Sequence, residues 1–368
     1  MANNRAASTF PASRFAAQLL TGDRAASPVD VAGRLLAIQG QDARGARLAV
    51  RARTSGLSAA DVDRALAEDR SLIITWLNRG TLHLVRSEDF WWLHKLTVRP
   101  QLHVGCLRIL AGSGVSGNDA DRGVAAVERA LAADGPLTRS QLANLIATAG
   151  LPAAATLHIM MLASLRGIAV RGPMIGAQHA YVHVREWLGL PPPAPEPDAA
   201  LGWLARRYLA GHGPASDRDL AKWAGIPLGQ ARRGLTAIAG ELADRPDGLA
   251  ELRGGAPDAG LPPPRLLGAF DPLLLGWASR EALLGDRQEV VTSNGLFRPI
   301  VLIGGVVAGI WTWDGGQVVV ETWAQLPAQA DSAIATEAQD VRRYLSREGD
   351  TAVTESMPPA AEDSDEGA

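Results

Sequence analysis

The chain has 368 residues, a length that fits two to four structural modules. Hydrophobic residues make up 47% and charged residues 20%, and the net charge of −3 excludes a uniformly basic nucleic-acid binder but allows a local basic groove. Only Lys95 and Lys222 among the 36 basic residues are lysines. Neither is placed as a poised amine nucleophile, so lyase chemistry through a Schiff base is not expected.

Metal and disulfide chemistry are not expected either. Cys106 is the single cysteine, and the seven histidines show no metal-binding spacing. Neither a signal peptide nor an apolar run long enough to cross a bilayer is visible. We therefore expect a protein of a bacterial cytoplasm, with no cofactor, no metal and no membrane partner.

The first segment, residues 1–115, has the pattern of helices followed by a hairpin. Helices are predicted near residues 15–20, 28–38, 42–53 and 59–67, with Asp42 and Ser58 as N-caps. Two strands joined by the turn at residues 78–80 follow, and a further helix opens at Ser87. Helices followed by a hairpin are typical of a winged helix-turn-helix.

The pattern recurs twice. Residues 116–190 again combine three helices with two strands around a glycine-rich turn, and a proline-rich linker ends near residue 197. Residues 198–253 hold three more helices and one weak strand around residues 249–252. We therefore predict three tandem winged-helix modules, and for such asymmetric modules a monomer is the simplest expectation.

Beyond a linker at residues 254–264, the hydrophobic period changes from 3.6 towards 2. Residues 265–348 are predicted to form a small antiparallel β domain with a terminal helix. Its strands are expected at residues 290–292, 298–303, 306–313 and 317–323. Residues 349–368 form an acidic tail that is expected to be disordered. The predicted fold class is α+β, mainly α.

Gln39 and Gln41 flank Gly40 at the junction of two predicted helices. Glycine disfavours helix, so we interpret this segment as a helix-to-helix turn. In irregular or extended backbone, residues two apart can face the same side, and both amides could then converge on one target. The alternative is a pair of solvated polar residues, which the spacing alone favours.

Arg44, Arg47 and Arg51 share one face of the next predicted helix. This helix lies where a helix-turn-helix places its DNA-facing helix, so the stripe is a candidate DNA contact. A solvated charged face explains the same spacing. The adjacent glutamines make the two interpretations about equally strong.

Two hairpin tips supply the other candidate DNA contacts. Asn78, Arg79, Thr81 and His83 lie on the first hairpin, where His83 could donate to a phosphate or to a flipped nucleotide; a structural strand histidine is the alternative. Near the C-terminus, Asn294, Phe297 and Arg298 resemble a turn that carries an apolar wedge and a cation, as in proteins that enter minor grooves. An ordinary turn with a core phenylalanine is the alternative, and the sequence alone favours it.

The glutamine motif at residues 39–41 and the segments 76–85, 269–276 and 305–311 together resemble the AlkZ-like DNA glycosylases. The resemblance covers nearly the whole chain except its first residues and the acidic tail. A sister branch, the YcaQ group, has aspartate where this chain has Gln41. The family usually has an aliphatic residue where this chain has Gly40, and that departure could loosen the turn or open room for a different adduct.

The resemblance implies a C-shaped arrangement of three winged helices and a β domain around a concave channel for double-stranded DNA. It also implies cleavage of the N-glycosidic bond of bulky or crosslinked N7-alkylated purines, in DNA repair or in self-resistance to azinomycin-type natural products. Gln39 and Gln41 are then the catalytic amides. An N7-alkylated guanine is a cation that leaves as a neutral base, so two amides that position water and stabilise the sugar suffice.

The function expected from the sequence is therefore monofunctional hydrolysis, without a Schiff base, strand nick or metal. A transcriptional regulator that binds DNA without cleaving it is the first alternative. A protein that binds and shields DNA damage is the second. Release of a base distinguishes the enzyme from both.

Overall fold

A computed structural model describes residues 10–346 except residues 177, 194 and 257–258. The acidic tail predicted at residues 349–368 lies outside the described residues. The fold is α+β with more helix than strand, which confirms the predicted class. The α-helices of the described part are α1 (Ala12–Ala17), α2 (Pro28–Leu35), α3 (Ala43–Arg51), α4 (Ala59–Ala67), α5 (Phe90–Thr97), α6 (Pro100–Gly112), α7 (Gly117–Asp134), α8 (Arg139–Thr148), α9 (Thr156–Leu165), α10 (Val184–Leu188), α11 (Pro197–His212), α12 (Asp217–Ala224), α13 (Leu228–Ala237), α14 (Pro272–Leu275), α15 (Glu281–Leu284) and α16 (Ala328–Leu345).

Strands form two antiparallel sheets, with the orders β1-β3-β2-β4-β5 and β6-β7-β8-β9. The strands of the described part are β1 (Ile38–Gln39), β2 (Leu72–Leu77), β3 (Thr81–Arg86), β4 (Ala169–Ile175), β5 (Gln178–His183), β6 (Arg265–Leu267), β7 (Ile300–Ile303), β8 (Val306–Asp314) and β9 (Gln317–Thr322).

Several helices begin at the side chains that the sequence indicates. Asp42 caps α3 by accepting from the backbone of Arg44 at 2.9 Å. Ser58, Thr138 and Ser216 each open a capping box, in which the cap and the third helical residue satisfy each other's backbone N–H. These bonds fix where α4, α8 and α12 start, and the first of them confirms the N-cap predicted at Ser58.

The first sheet joins hairpins from two of the predicted modules. The hairpin of β2 and β3 has its turn at Asn78–Gly80, as predicted, and Arg79 and Gly80 both adopt positive φ there (58° and 74°). Strand β2 also pairs with β4, where Ile74 lies opposite Arg171. The module boundary predicted near residue 115 therefore lies between two groups of helices, but strands from both sides of it belong to one sheet.

The third predicted module has helices but no extended wing. Helix α11 packs against α13, and α12 packs beside them. In residues 242–252 the strand pairing consists of single bridges, Leu242 with Leu252 and Ala250 with Ala215. The number of winged-helix modules and the C-shape remain predictions.

The C-terminal sheet agrees in part with its predicted strands. β7, β8 and β9 were expected, whereas β6 lies just after a segment that we interpreted as linker. The strand predicted at residues 290–292 does not form: Gln288–Val290 make a short helical turn, and Val291 forms a single bridge with Phe297. Helix α16 packs across this sheet and carries Ile334 and Val341 into a buried cluster with Trp311.

Candidate active site

Gln39 lies on the short strand β1, at the edge of the first sheet, and not in a helix-to-helix turn. Its backbone pairs with His83 of β3, and Gly40 continues the pairing by donating to the carbonyl of Leu82 at 2.7 Å. The backbone is extended here, so Gln39 and Gln41 face the same side. The Nε2 of Gln39 donates to the Oε1 of Gln41, and the two amides are in direct contact.

A row of polar side chains crosses the sheet beside this pair. Gln39, His83 and Thr75 occupy directly paired positions on β1, β3 and β2, and paired residues point to the same face. All three are buried, with exposed fractions of 7%, 3% and 0%. Such a row is unusual on an otherwise apolar face, because each buried polar group needs a hydrogen-bond partner.

His83 is an uncharged member of this row. Burial lowers its pKa to about 3, and the nearby Arg79 charge acts in the same direction. Its Nδ1 lies 2.9 Å from the carbonyl oxygen of Thr81, which can only accept, so Nδ1 carries the proton. The Nε2 atom of a neutral ring is then an acceptor. The predicted donation from His83 to a phosphate does not fit this tautomer.

Gly40 does not open space beside the glutamines, contrary to one expectation from the sequence. A Cβ atom at this position would lie 3.4 Å from Ile74 Cγ2 and 3.4 Å from the backbone nitrogen of Leu84. Both residues belong to the buried cluster on the other side of the sheet. The missing side chain is therefore directed away from Gln39.

Helix α3 is buried and is not a free recognition helix. Residues 45–51 are all buried. Arg47 pairs with Asp63, with Nε 3.1 Å from Oδ1, and Arg51 pairs with Glu337 and Asp340 of α16, each at 2.8 Å. Buried guanidinium groups require such partners. The prediction that Arg47 and Arg51 form a DNA-facing stripe is therefore wrong.

Arg44 differs from the other two arginines because it lies at the start of α3 and is only partly buried. Its guanidinium carbon is 5.8 Å from the ring centre of Trp313, on the β8–β9 hairpin. This contact brings the hairpin near the first turn of α3, which follows Gln41 directly. Arg44 remains a candidate DNA contact.

The tip of the first hairpin is attached to α12. Arg79 donates to the carbonyls of Lys222 and Trp223, at 3.1 and 2.7 Å, where the helix exposes unpaired carbonyl groups. Thr81 Oγ1 donates to the carbonyl of Asn78 at 3.2 Å. The side-chain amide of Asn78 is buried and forms no hydrogen bond within the described part of the chain. Arg79 therefore holds the hairpin tip against α12, and the role of these residues as DNA contacts stays a prediction.

The C-terminal turn exposes a different apolar residue from the one expected. Asn294 and Arg298 are exposed, and Leu296 at the tip has 49% of its surface exposed. Phe297 instead packs inward, with its ring centre 5.6 Å from that of Phe270. The apolar tip is therefore Leu296, because the pairing of Val291 with Phe297 turns the phenylalanine towards the protein.

Arg280 is a cation that sequence patterns do not indicate, because it lies in a loop outside every motif. Its guanidinium carbon is 4.8 Å from the ring centre of Phe297, and its Nε donates to the carbonyl of Leu274 at 2.5 Å. Burial lowers the pKa of Arg79 to about 10, and the charge of Arg280 adds to that shift. Within the described residues, neither arginine has a carboxylate close enough to offset its burial.

The described part of the chain contains no group of three or more histidine, cysteine, aspartate or glutamate residues arranged to hold a metal ion. None of its helices has the length and apolar character needed to span a membrane.

Comparison with known proteins places the chain in a family. The sequence model described as "DNA glycosylase AlkZ-like" matches residues 32–344, which include both glutamines and nearly all of α16. The chain belongs to the AlkZ-like DNA glycosylase family. A relative, the interstrand DNA cross-link repair glycosylase of Streptomyces sahachiroi, is 27% identical over 367 residues, covering 90% of this chain and 94% of the relative. The solved structure of the Streptomyces sahachiroi DNA glycosylase AlkZ aligns with a TM-score of 0.73 at 26% identity, covering 90% of this chain and 95% of that one.

This membership confirms the resemblance, and the structure explains one AlkZ-like segment at residues 269–276. Asp271 accepts two hydrogen bonds from Arg53, at 2.8 and 2.9 Å, and both side chains are fully buried. A Cβ atom on Gly45 would lie only 2.3 Å from the carbonyl oxygen of Ala269, so glycine is needed where α3 meets this segment. The segment therefore fixes the helix that follows the glutamines.

Proposed function

We propose that this chain is a monofunctional DNA glycosylase that hydrolyses the N-glycosidic bond of bulky or crosslinked N7-alkylated purines in double-stranded DNA. Gln39 and Gln41 are the proposed catalytic residues. The observation that carries the proposal is the direct contact of their two amides at the end of a buried polar row. The same activity would give self-resistance to a producer of a DNA-alkylating natural product.

The charge state of the site fits a cationic leaving group. Neither amide titrates, and His83 is neutral because burial holds its pKa at about 3. An N7-alkylated purine already carries a positive charge and leaves as a neutral base, so it needs no general acid. The amide carbonyl dipoles can stabilise positive charge that develops on the sugar. A neutral site therefore suffices for this substrate class.

DNA contacts are proposed at the partly buried and exposed cations and at the hairpin tips. Arg44 lies near Gln41, and Arg79 and Arg280 lack carboxylate partners within the described residues. Unneutralised guanidinium groups suit phosphate oxygens. The C-terminal turn adds Asn294, Leu296 and Arg298 as a further contact.

The first test measures base release. The protein is incubated with duplex DNA that carries N7-methylguanine or an azinomycin-type crosslink, and free base and alkali-labile sites are quantified. We expect release by the wild type and a loss of about tenfold to a hundredfold in Gln39→Ala and in Gln41→Ala, since each misplaces the water or the sugar. Gln329→Ala, an equivalent change at an exposed position of α16, should leave the rate unchanged.

Three results would count against the proposal. Binding to damaged DNA without base release would support a regulator or a damage-shielding protein instead. Full activity in both glutamine variants would refute the assigned residues. Strand cleavage without alkali would refute the monofunctional mechanism.

A further inference from the structure

The imidazole of His83 presents an unoccupied acceptor beside Gln39. Nδ1 is committed to the carbonyl of Thr81 at 2.9 Å, and the ring is neutral, so Nε2 has a lone pair and no proton. No described residue donates a hydrogen bond to Nε2. Thr75, paired with His83 on the other side, has an Oγ1 without a hydrogen bond to any described residue.

The strand pairing brings this acceptor close to Gln39. The bond from Gly40 to Leu82 makes Gln39 and His83 a non-hydrogen-bonded pair of the antiparallel ladder. In such pairs the Cα atoms lie about 4.5 Å apart, and the side chains are closer than in the alternate pairs. The two side chains are therefore direct neighbours on one face.

Gln39 supplies a second acceptor at the same place. Its Nε2 donates to Gln41 Oε1, which leaves the Oε1 of Gln39 without a donor among the described residues. A water molecule has two protons to donate. If one goes to Gln39 Oε1 and the other to His83 Nε2, the lone pairs of that water remain free for attack.

We propose that His83 is a catalytic residue that, together with Gln39, holds the water that attacks the sugar. The proposal rests on the glycosylase function proposed above. The water lone pair forms the C1′–O bond while the C1′–N9 bond breaks, and the electron pair of that bond stays on N9. The alkylated purine leaves neutral. The extra proton on the added oxygen passes to His83 Nε2 and then to solvent.

Two amide substitutions of different length test this role. In His83→Asn the amide can still donate to the carbonyl of Thr81, but it ends short of the position of Nε2. In His83→Gln the amide oxygen reaches that position. We expect the single-turnover rate of N7-methylguanine release to fall about tenfold to a hundredfold in the asparagine variant, with unchanged affinity for DNA. The glutamine variant should stay within about fivefold of wild type.

A double-substitution cycle with Gln39→Ala asks whether both residues act on one water. If they do, adding His83→Asn to Gln39→Ala should cost less than about twofold more, because the water is already lost. The matched control is His212→Asn, which changes another buried histidine whose Nδ1 lies 3.1 Å from a backbone carbonyl. It should leave the rate unchanged.

The outcomes separate the two proposals. No base release by the wild type refutes the proposed function. With an active wild type, an unchanged rate in His83→Asn, additive losses with Gln39→Ala, or an equal loss in folded His83→Gln overturns the role of His83. If circular dichroism shows that His83→Asn is unfolded, His83→Phe replaces it with the same expected loss.

Discussion

Gly40 separates the two glutamines and has no side chain of its own to pack between the sheet and the core. The position that a Cβ atom would take has ordinary contact distances to Ile74 and Leu84, and Gly40 does not adopt positive φ. An alanine can therefore adopt this backbone without strain. Any effect of the substitution should appear in stability rather than in catalysis.

We expect Gly40→Ala to raise the free energy of unfolding by about 0.5–1 kcal/mol, because glycine loses more backbone entropy than alanine when a strand forms. Urea unfolding measures this change. The rate of base release should stay within about twofold of wild type, since the new methyl group points away from Gln39. A tenfold change in rate would show that this position shapes the site after all.

The convergence of Gln39 and Gln41 could be predicted from their spacing in the sequence, because an extended backbone brings residues two positions apart to the same side. The cross-strand position of His83 relative to Gln39 could not. Strand β1 has only two residues, and a period of 2 cannot be detected over so short a segment. The register that pairs these side chains is set by the sheet and not by local sequence.

For helix α3, too, local sequence predicts only part of what the structure shows. Its boundaries and its N-cap at Asp42 follow from local sequence, but its orientation does not. Arg51 meets Glu337 and Asp340, which lie 286 and 289 positions further along the chain. A stripe of arginines has the same spacing whether it faces solvent or buried carboxylates, so only tertiary structure distinguishes the two cases.

The buried ion pair between Arg53, just after α3, and Asp271, just before α14, leads to a prediction about stability. Arg53→Met should lower the free energy of unfolding by about 3–5 kcal/mol, because it leaves the buried Asp271 without its partner. The double variant Arg53→Met/Asp271→Asn should recover part of this loss, since no uncompensated charge remains. Denaturation midpoints in urea measure both changes. An unchanged midpoint in the single variant would contradict a structural role for the pair.

For the whole molecule, buried histidines link folding to pH. Burial lowers the pKa of His83 and of His212 to about 3, whereas both have an ordinary pKa of 6.5 when unfolded. Below pH 6.5 these histidines are therefore protonated in the unfolded chain but remain neutral in the folded protein. Their stabilisation is complete above pH 6.5 and is lost progressively as the pH falls towards 3.

We expect each of these histidines to reduce the free energy of unfolding by roughly 2 kcal/mol between pH 8 and pH 5. Urea unfolding at several pH values measures their contribution together with that of His94, His158 and His179, whose pKa values burial also lowers. His212→Asn should show a shallower dependence on pH than wild type, because it removes one of the groups whose pKa is depressed in the folded protein. Equal unfolding midpoints at pH 8 and pH 5 would contradict the depressed pKa values.

The order of elements along the chain was largely predictable, whereas their assembly was not. The helices, the first hairpin and the C-terminal strands follow local periodicity and capping signals. The five-stranded sheet depends on the pairing of β2 with β4, almost a hundred positions apart, and no local pattern encodes that contact. Long-range pairing of this kind is why the predicted modules share a sheet.

The attachment of α16 to α3 has a consequence for biosynthesis. The glutamines are translated early, but Glu337, which binds Arg51, Arg265 and the backbone of Leu266, is among the last described residues to be made. Until then the helix next to the glutamines carries an unneutralised arginine, so the nascent chain cannot close this part of the core. A premature stop before Glu337 would therefore damage the region around the glutamines while leaving every residue of the glutamine motif intact.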